Sequence, residues 1–269
     1  SGSCPMMGNV PAETCPVEGV DTPAPAPPTA KQIVNTLGKQ RLSAFVTSTA
    51  SAGYVLCGGT SLPMLGAVTL GTYLQSLSAN TSNQCIEIEN DRMMKRTHKR
   101  PLVTGAITRP AAIALAAAEL AAGTGLLAAT GGTTVAALGV ANWVMYVCVY
   151  TPLKRVSTTN TWWGAIVGAV PPVMGGVAAA GSLSAAAMPP AYLLGGVLFV
   201  WQIPHFMSLA YHCRRDYEHA GFKMLPYSNP RRASIYAVSL SVIMAVLTLP
   251  GLPMAGMVVE PWFYAASAA

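Results

Sequence analysis

The chain has 269 residues, 52% of them hydrophobic and only 10% charged, with a mean hydropathy of +0.44. Soluble domains carry about 25% charged residues, so this composition excludes an ordinary soluble enzyme and points to a polytopic membrane protein. The formal net charge of +6 does not indicate nucleic acid, because the bases sit between apolar segments rather than in a patch on a soluble fold.

Residues 1–30 contain no Lys or Arg and are rich in proline, with A-P-A-P-P at 24–28. They read as a disordered tail, without the Arg-rich character of a transit peptide. Apolar runs then follow at about 42–62, 64–82, 110–130, 133–151, 163–183, 190–210 and 233–252, and an eighth begins near Trp262. Each complete run is close to the twenty residues a helix needs to span a bilayer. The expected organisation is therefore a tail over 1–30 and one transmembrane domain over 31–269, cut short at its C-terminus. Small residues such as Gly123, Gly125, Gly164, Gly168, Gly175 and Gly176 favour closely approached membrane helices rather than isolated anchors. The six cysteines are scattered, with no C-x-x-C pair, and give no disulfide framework.

The bases fix the orientation. Lys31, Lys39 and Arg41 precede the first run. Arg92, Lys95, Arg96, Lys99, Arg100 and Arg109 lie between the second and third runs, and Lys154 and Arg155 between the fourth and fifth. Arg214, Arg215, Lys223, Arg231 and Arg232 lie between the sixth and seventh, and these loops account for all sixteen Lys and Arg. They all fall on one side, which the positive-inside rule makes cytoplasm or mitochondrial matrix.

Three polar constellations share that side. The first is N-Q-C-I-E-I-E-N-D-R-M-M-K-R-T-H-K-R-P-L, from Asn83 to Leu102, where Asn83, Glu87 and Asp91 recur every four residues and so share a helical face. The second is Tyr150, Lys154, Arg155 and Asn160. The third is Arg214-Arg215-Asp216-Tyr217, preceded by W-Q-I-P-H-F from Trp201 to Phe206. Positive-inside topology explains scattered bases but not acids at helical spacing among them, and ionisable groups near membrane depth mark function. Asn83, Glu87, Asp91 and Asp216 offer hard oxygen ligands of the kind Mg²⁺ takes together with phosphate and water. Arg96, Arg100, Lys154, Arg155 and Arg214 are suited to clamp a diphosphate. An isoprenoid tail on that diphosphate would suit a greasy bundle, whose dry interior protects an allylic cation from water.

The N-x-x-x-E-x-x-x-D pattern of Asn83, Glu87 and Asp91, and the Tyr-x-x-x-Lys pattern of Tyr150 and Lys154, resemble motifs of the UbiA-type intramembrane prenyltransferases. R-T-H-K-R-P-L (96–102), Y-T-P-L-K-R (150–155), W-Q-I-P-H-F (201–206) and R-R-D-Y-E-H-A-G-F-K-M-L-P (214–226) resemble, more narrowly, the protohaem IX farnesyltransferase branch. The resemblance runs over about 38–250. It implies an all-α, polytopic bundle of nine spans, about seven of them present here with the start of an eighth. It implies Mg²⁺-assisted transfer of a farnesyl group from farnesyl diphosphate to a vinyl group of haem b, giving a hydroxyethylfarnesyl haem. Asn83, Glu87 and Asp91 would hold Mg²⁺–diphosphate, with Asp216 at a second metal position. Arg96, Arg100, Lys154 and Arg155 would hold phosphate, Tyr150 would lie near the ionising carbon, and His205 is a haem-binding candidate. The implied partners are the two substrates, the lipid bilayer, and haem A synthase or oxidase assembly factors. The wording of the motifs favours the mitochondrial inner membrane, motif side toward the matrix, over a bacterial inner membrane. Cys4-Pro5 and Cys15-Pro16 resemble haem-regulatory dipeptides, although chance in a Pro-rich tail is the better account.

The sequence departs from the superfamily pattern at two points. Glu87 stands where many members have Asp, and Asp216 and Glu218 are two apart where the second motif usually has acids four apart, which weakens the second metal position. The acidic motif reads the donor, so hydroxybenzoate, chlorophyllide or another tetrapyrrole stays open as acceptor. A transporter would call for inverted repeats or matched broken helices, and the sequence shows neither.

Overall fold

A computed structural model describes residues 28–248. The Pro-rich tail with its Cys-Pro pairs, and the run beginning at Trp262, lie outside the described residues. Within them the fold is all-helical, as the sequence implies. Helix α1 (Ala30–Leu37) leads into α2 (Gln40–Leu56) and α3 (Leu62–Ile86). The short α4 (Ile88–Met93) and α5 (Pro101–Thr104) follow, then α6 (Arg109–Gly131) and α7 (Thr133–Val144). A π-helical turn (Met145–Tyr150) joins α7 to α8 (Thr151–Val156), and α9 (Asn160–Ala180) and α10 (Pro189–His212) come next. The chain continues through α11 (Arg214–His219) and α12 (Leu225–Ser228) into α13 (Pro230–Thr248).

The seven long segments fall on the seven complete apolar runs. Five of them, Arg109–Gly131, Thr133–Val156, Asn160–Ala180, Pro189–His212 and Pro230–Thr248, are long and apolar enough to cross a membrane. The other two differ for physical reasons. Helix α2 is short, and α3 carries Gln75, Ser78, Asn80, Thr81, Asn83 and Gln84 buried against its neighbours. These side chains join helices. Ser78 Oγ donates to Ala116 O of α6 at 2.7 Å, Gln75 Nε2 donates to Thr124 Oγ1 at 2.9 Å, and Trp143 Nε1 donates to Ser78 Oγ at 3.0 Å. Polar side chains serve as interhelical bonds where hydrophobic burial alone cannot hold helices together.

Helix α2 packs on α9 through glycines. A Cβ added at Gly175 would stand 1.9 Å from Ala50 O, and one at Gly53 would stand 2.1 Å from Pro172 O. Both obstacles are backbone, so no side chain can swing aside. Gly175→Ala is expected to destabilise the bundle by about 1–3 kcal/mol or more, seen as a lower unfolding temperature in detergent, whereas Gly125→Ala, in open space, should leave it unchanged.

Candidate functional site

One end of the bundle, where the loops carry the basic residues, holds a cavity of about 400 Å³. Its charged wall begins on α3. The sequence suggested one continuous helix through Asn83, Glu87 and Asp91, but the helix breaks at Glu87, whose φ and ψ are −101° and 18°. The break does not disturb the register. Glu87 N still bonds Asn83 O at 3.0 Å and Asp91 N bonds Glu87 O at 2.8 Å, so all three side chains reach the cavity.

Both acids are buried and paired. Arg100 Nη1 donates to Asp91 Oδ2 at 2.5 Å. Lys154 Nζ donates to Glu87 Oε2 at 3.2 Å, and it lies 3.0 Å from Oε1 without hydrogen-bonding geometry, so that Oε1 is buried without a hydrogen bond. Burial lifts the Asp91 carboxyl above the usual range, and the Arg100 charge offsets only part of that.

The second constellation owes its position to the π-helical turn. Thr151 N bonds back to Tyr146 O, five residues earlier, in a chain where Pro152 offers no N–H to the regular ladder. The wider turn brings Tyr146 and Tyr150 to the cavity with ring centroids 5.3 Å apart. Lys154 Nζ sits 4.7 Å from the Tyr150 ring centroid and 5.8 Å from that of Phe222.

Backbone contacts close the site from the third side. Lys223 N donates to Lys154 O at 2.7 Å, and buried Asn160 donates Nδ2 to Lys223 O at 2.8 Å. Asn90 Nδ2 holds Ala220 O at 2.7 Å. The segment after α11 is thereby pinned to α4, α8 and α9, which brings Tyr217, Phe222 and Met224 into the wall. His205 reaches the cavity from α10, its ring stacked on Trp201 at 4.8 Å between centroids.

Asp216, Arg155 and Arg214 do not line the cavity. On α11 it is Tyr217 that turns inward, and neighbouring helical residues point about 100° apart, so Asp216 turns away. A second metal position built on Asp216 therefore has no support in this geometry. Arg155 Nη2 donates to Ile86 O at 2.9 Å, and Arg214 donates to Tyr211 O at 3.0 Å while stacking on the Tyr211 ring. These two expected phosphate ligands are engaged elsewhere.

Lys39 is a cavity residue that the sequence reading counted only toward topology. It connects α1 to α2 in a left-handed conformation, φ 45°, which is uncommon for a residue with a Cβ. The end of α1 is fixed by Gln84 Nε2, which donates to Thr36 O at 2.9 Å and Leu37 O at 2.7 Å. Lys39 Nζ is thus delivered to Asn83 Oδ1 at 3.1 Å. Burial, then the nearby Arg100 and Lys154 charges, lower its pKa from 10.5 to about 7. Only the α3 fold-back could have revealed this placement, and nothing local to Lys39 encodes it.

A lowered lysine pKa means that folding disfavours the charged form. The penalty is full below about pH 7 and fades as pH rises toward 10.5, the unfolded value. Lys39→Met should therefore raise the unfolding temperature of the ligand-free protein, and raise it more at pH 6 than at pH 9.

Four cations, Lys39, Arg96, Arg100 and Lys154, and two carboxylates, Glu87 and Asp91, line the cavity. Among the described residues, Lys39 and Arg96 have no acidic partner. Arg96 is exposed and Lys39 half-buried, and an excess of positive charge facing a cavity is complementary to an anion.

The description "UbiA prenyltransferase family" matches residues 44–269. The chain belongs to the UbiA prenyltransferase family. It is 45% identical over 207 residues to "Protoheme IX farnesyltransferase, mitochondrial" of Arabidopsis thaliana, covering 76% of this chain and 47% of that protein. The human protein of the same name is 42% identical over 218 residues, covering 79% of this chain and 48% of its own length. The chain thus spans about half the length of the curated relatives it matches. Among solved structures, the apo UbiA homologue of Aeropyrum pernix K1 superposes with a TM-score of 0.72 at 21% identity, covering 82% of each chain. A UbiA homologue of Archaeoglobus fulgidus bound to DMAPP and Mg²⁺ superposes with a TM-score of 0.63 at 20% identity, covering 87% of this chain and 82% of that one. These likenesses establish the fold.

Proposed function

We propose that the cavity is the prenyl-transfer site of a protohaem IX farnesyltransferase, joining the farnesyl group of farnesyl diphosphate to a vinyl group of haem b. The observation that carries the reading is the charge layout of one wall, two buried carboxylates with their cations beside two cations that have no acidic partner. The names of the relatives at 45% and 42% identity support haem as the acceptor.

The residues fit a Mg²⁺ ion. Asn83, Glu87 and Asp91 present oxygen donors on consecutive turns, and Glu87 Oε1 is buried without a hydrogen bond. Two carboxylates and an amide leave room for phosphate oxygens and water, as Mg²⁺ prefers. Bound there, the ion would neutralise the diphosphate and make it a better leaving group. Arg96 and Lys39 grip its outer oxygens. Arg100 holds Asp91 in position, and Arg100 and Lys154 add positive potential where negative charge develops. The faces of Tyr150 and Tyr146 stand over the space beyond, where an aromatic quadrupole stabilises an allylic cation. Leu42, Val46, Ala165 and Val167 limit water around it. His205, which lines the cavity from α10, is the residue this reading assigns to the flat acceptor.

The compartment follows from the same relatives. The reading places the protein in the mitochondrial inner membrane with the basic loops toward the matrix, as the one-sided lysines and arginines require.

The test is direct. Membranes containing the full-length protein receive farnesyl diphosphate, haem b and Mg²⁺, and the haem fraction is analysed by mass spectrometry. Farnesylated haem that depends on both the protein and Mg²⁺ is expected. Farnesyl transfer only to another acceptor, or none from folded protein, would overturn the reading.

A further inference from the structure

A second, smaller cavity of about 90 Å³ lies against the first, between α3, α7 and α9, and shares Leu42, Val46, Tyr146, Val167 and Gly168 with it. The wall is largely apolar, with Leu42, Val46, Val167 and Met174, but it carries polar groups that a prenyl tail would not satisfy. Thr72 Oγ1 and Asn142 Oδ1 are buried there with no hydrogen-bond partner, and Thr72 is only 4% exposed. Gln75, Ser76 and Asn80 complete the polar lining. Tyr146 stands between the two spaces, its Oη donating to Asn80 Oδ1 at 3.3 Å. Buried polar atoms without protein partners are ordinarily satisfied by water. One water needs about 10–15 Å³ of cavity, so this space admits several, and Thr72 Oγ1 and Asn142 Oδ1 are there to hold them. A prenyl chain in the same place would leave Thr72 and Asn142 unsatisfied.

We infer that this small cavity is a water-binding site that supplies the hydroxyl group completing the farnesylation proposed above, an inference that rests on that reading. The chemistry calls for such a site. As the C–O bond to diphosphate breaks, the vinyl terminal carbon forms a C–C bond to the farnesyl C1 and leaves a cation on the adjacent vinyl carbon. A water oxygen then bonds to that carbon, and the proton it sheds is taken by the released diphosphate, giving the secondary alcohol. Without water at hand, the same cation loses a carbon-bound proton to diphosphate and gives an alkene. The site must therefore exclude water while the allylic cation forms, yet hold water close by for the second cation. A separate small chamber behind Tyr146, with Thr72 Oγ1 and Asn142 Oδ1 free to hold water, meets both demands.

The experiment uses membranes with the full chain, farnesyl diphosphate, haem b and Mg²⁺ in heavy-oxygen water. The wild type is expected to give labelled farnesyl alcohol haem. Thr72→Val and Asn142→Leu, which keep side-chain volume, are expected to go on releasing diphosphate while the alkene-to-alcohol ratio rises at least about tenfold, the scale of losing a hydrogen bond or two to a bound water. Thr72→Ser should restore the wild-type ratio. Farnesylated haem from the wild type with an unchanged ratio in folded variants would overturn the inference alone, whereas no farnesylated haem from the wild type would remove the parent reading and this inference with it. An experimental structure that resolves waters decides independently of folding in the variants: waters on Thr72 Oγ1 and Asn142 Oδ1 support the site, and a prenyl chain or an empty space there overturns it.

Discussion

Asp91→Asn is expected to lower farnesyl diphosphate turnover by at least about 100-fold, the upper end of the roughly 10–100-fold lost when a residue that merely supports a metal ligand is changed. The substitution keeps the shape and removes the one charge that Asp91 gives to Arg100 and, in the proposed reading, would give to Mg²⁺. Its side effect on folding is bounded by the same geometry. Arg100 would lose the one acidic partner it has among the described residues, but its side chain is 17% exposed and lines the cavity, so water can reach it. The cost should stay near the roughly 1–3 kcal/mol typical of an unsatisfied buried group. The double variant Asp91→Asn/Arg100→Gln separates the two roles. A neutral pair should recover much of the unfolding temperature while activity stays lost. Binding of paramagnetic Mn²⁺, followed by its relaxation signal, gives a readout that needs no turnover and should vanish with Asp91. Full activity in Asp91→Asn would sink the metal assignment.

The bundle was legible because membrane helices announce themselves by length and apolarity, and because every base lies on one side. The spacing of Asn83, Glu87 and Asp91 was equally legible, since i, i+4 and i+8 survive even the break at Glu87: the backbone bonds at 87 and 91 continue the ladder. What the sequence could not supply is which residue of a charged cluster faces inward. Arg155 and Lys154 are adjacent, yet one enters the cavity and the other bonds Ile86 O. Asp216 and Tyr217 divide in the same way, with the tyrosine inward. A pattern of charges gives the end of the bundle, and the rotation of each short helix decides the rest. Lys39 escaped notice for the complementary reason. Its neighbours in the site, Asn83 and Arg100, are remote in sequence, and it reaches them through a left-handed backbone step at the α1–α2 junction.

Lys154→Met should cut turnover by about 100-fold, comparable to removing one preorganised donor from a charge-stabilising site, while leaving Mg²⁺ binding intact or tighter. The reason is competition. Lys154 Nζ lies 3.0 Å from Glu87 Oε1, so its charge and a metal ion seek the same carboxylate. Methionine preserves the length and the contact with the Tyr150 and Phe222 rings but removes the charge, freeing Glu87 for the ion and depriving the departing diphosphate of a cation. Lys154→Arg, which keeps the charge but changes the donor geometry, should retain more activity than Lys154→Met. The pair of variants thus gives opposite signatures: Asp91→Asn loses metal binding and turnover together, and Lys154→Met loses turnover alone. If Lys154→Met weakened Mn²⁺ binding as Asp91→Asn does, Lys154 would be a prop for Glu87 and not a partner of the leaving group.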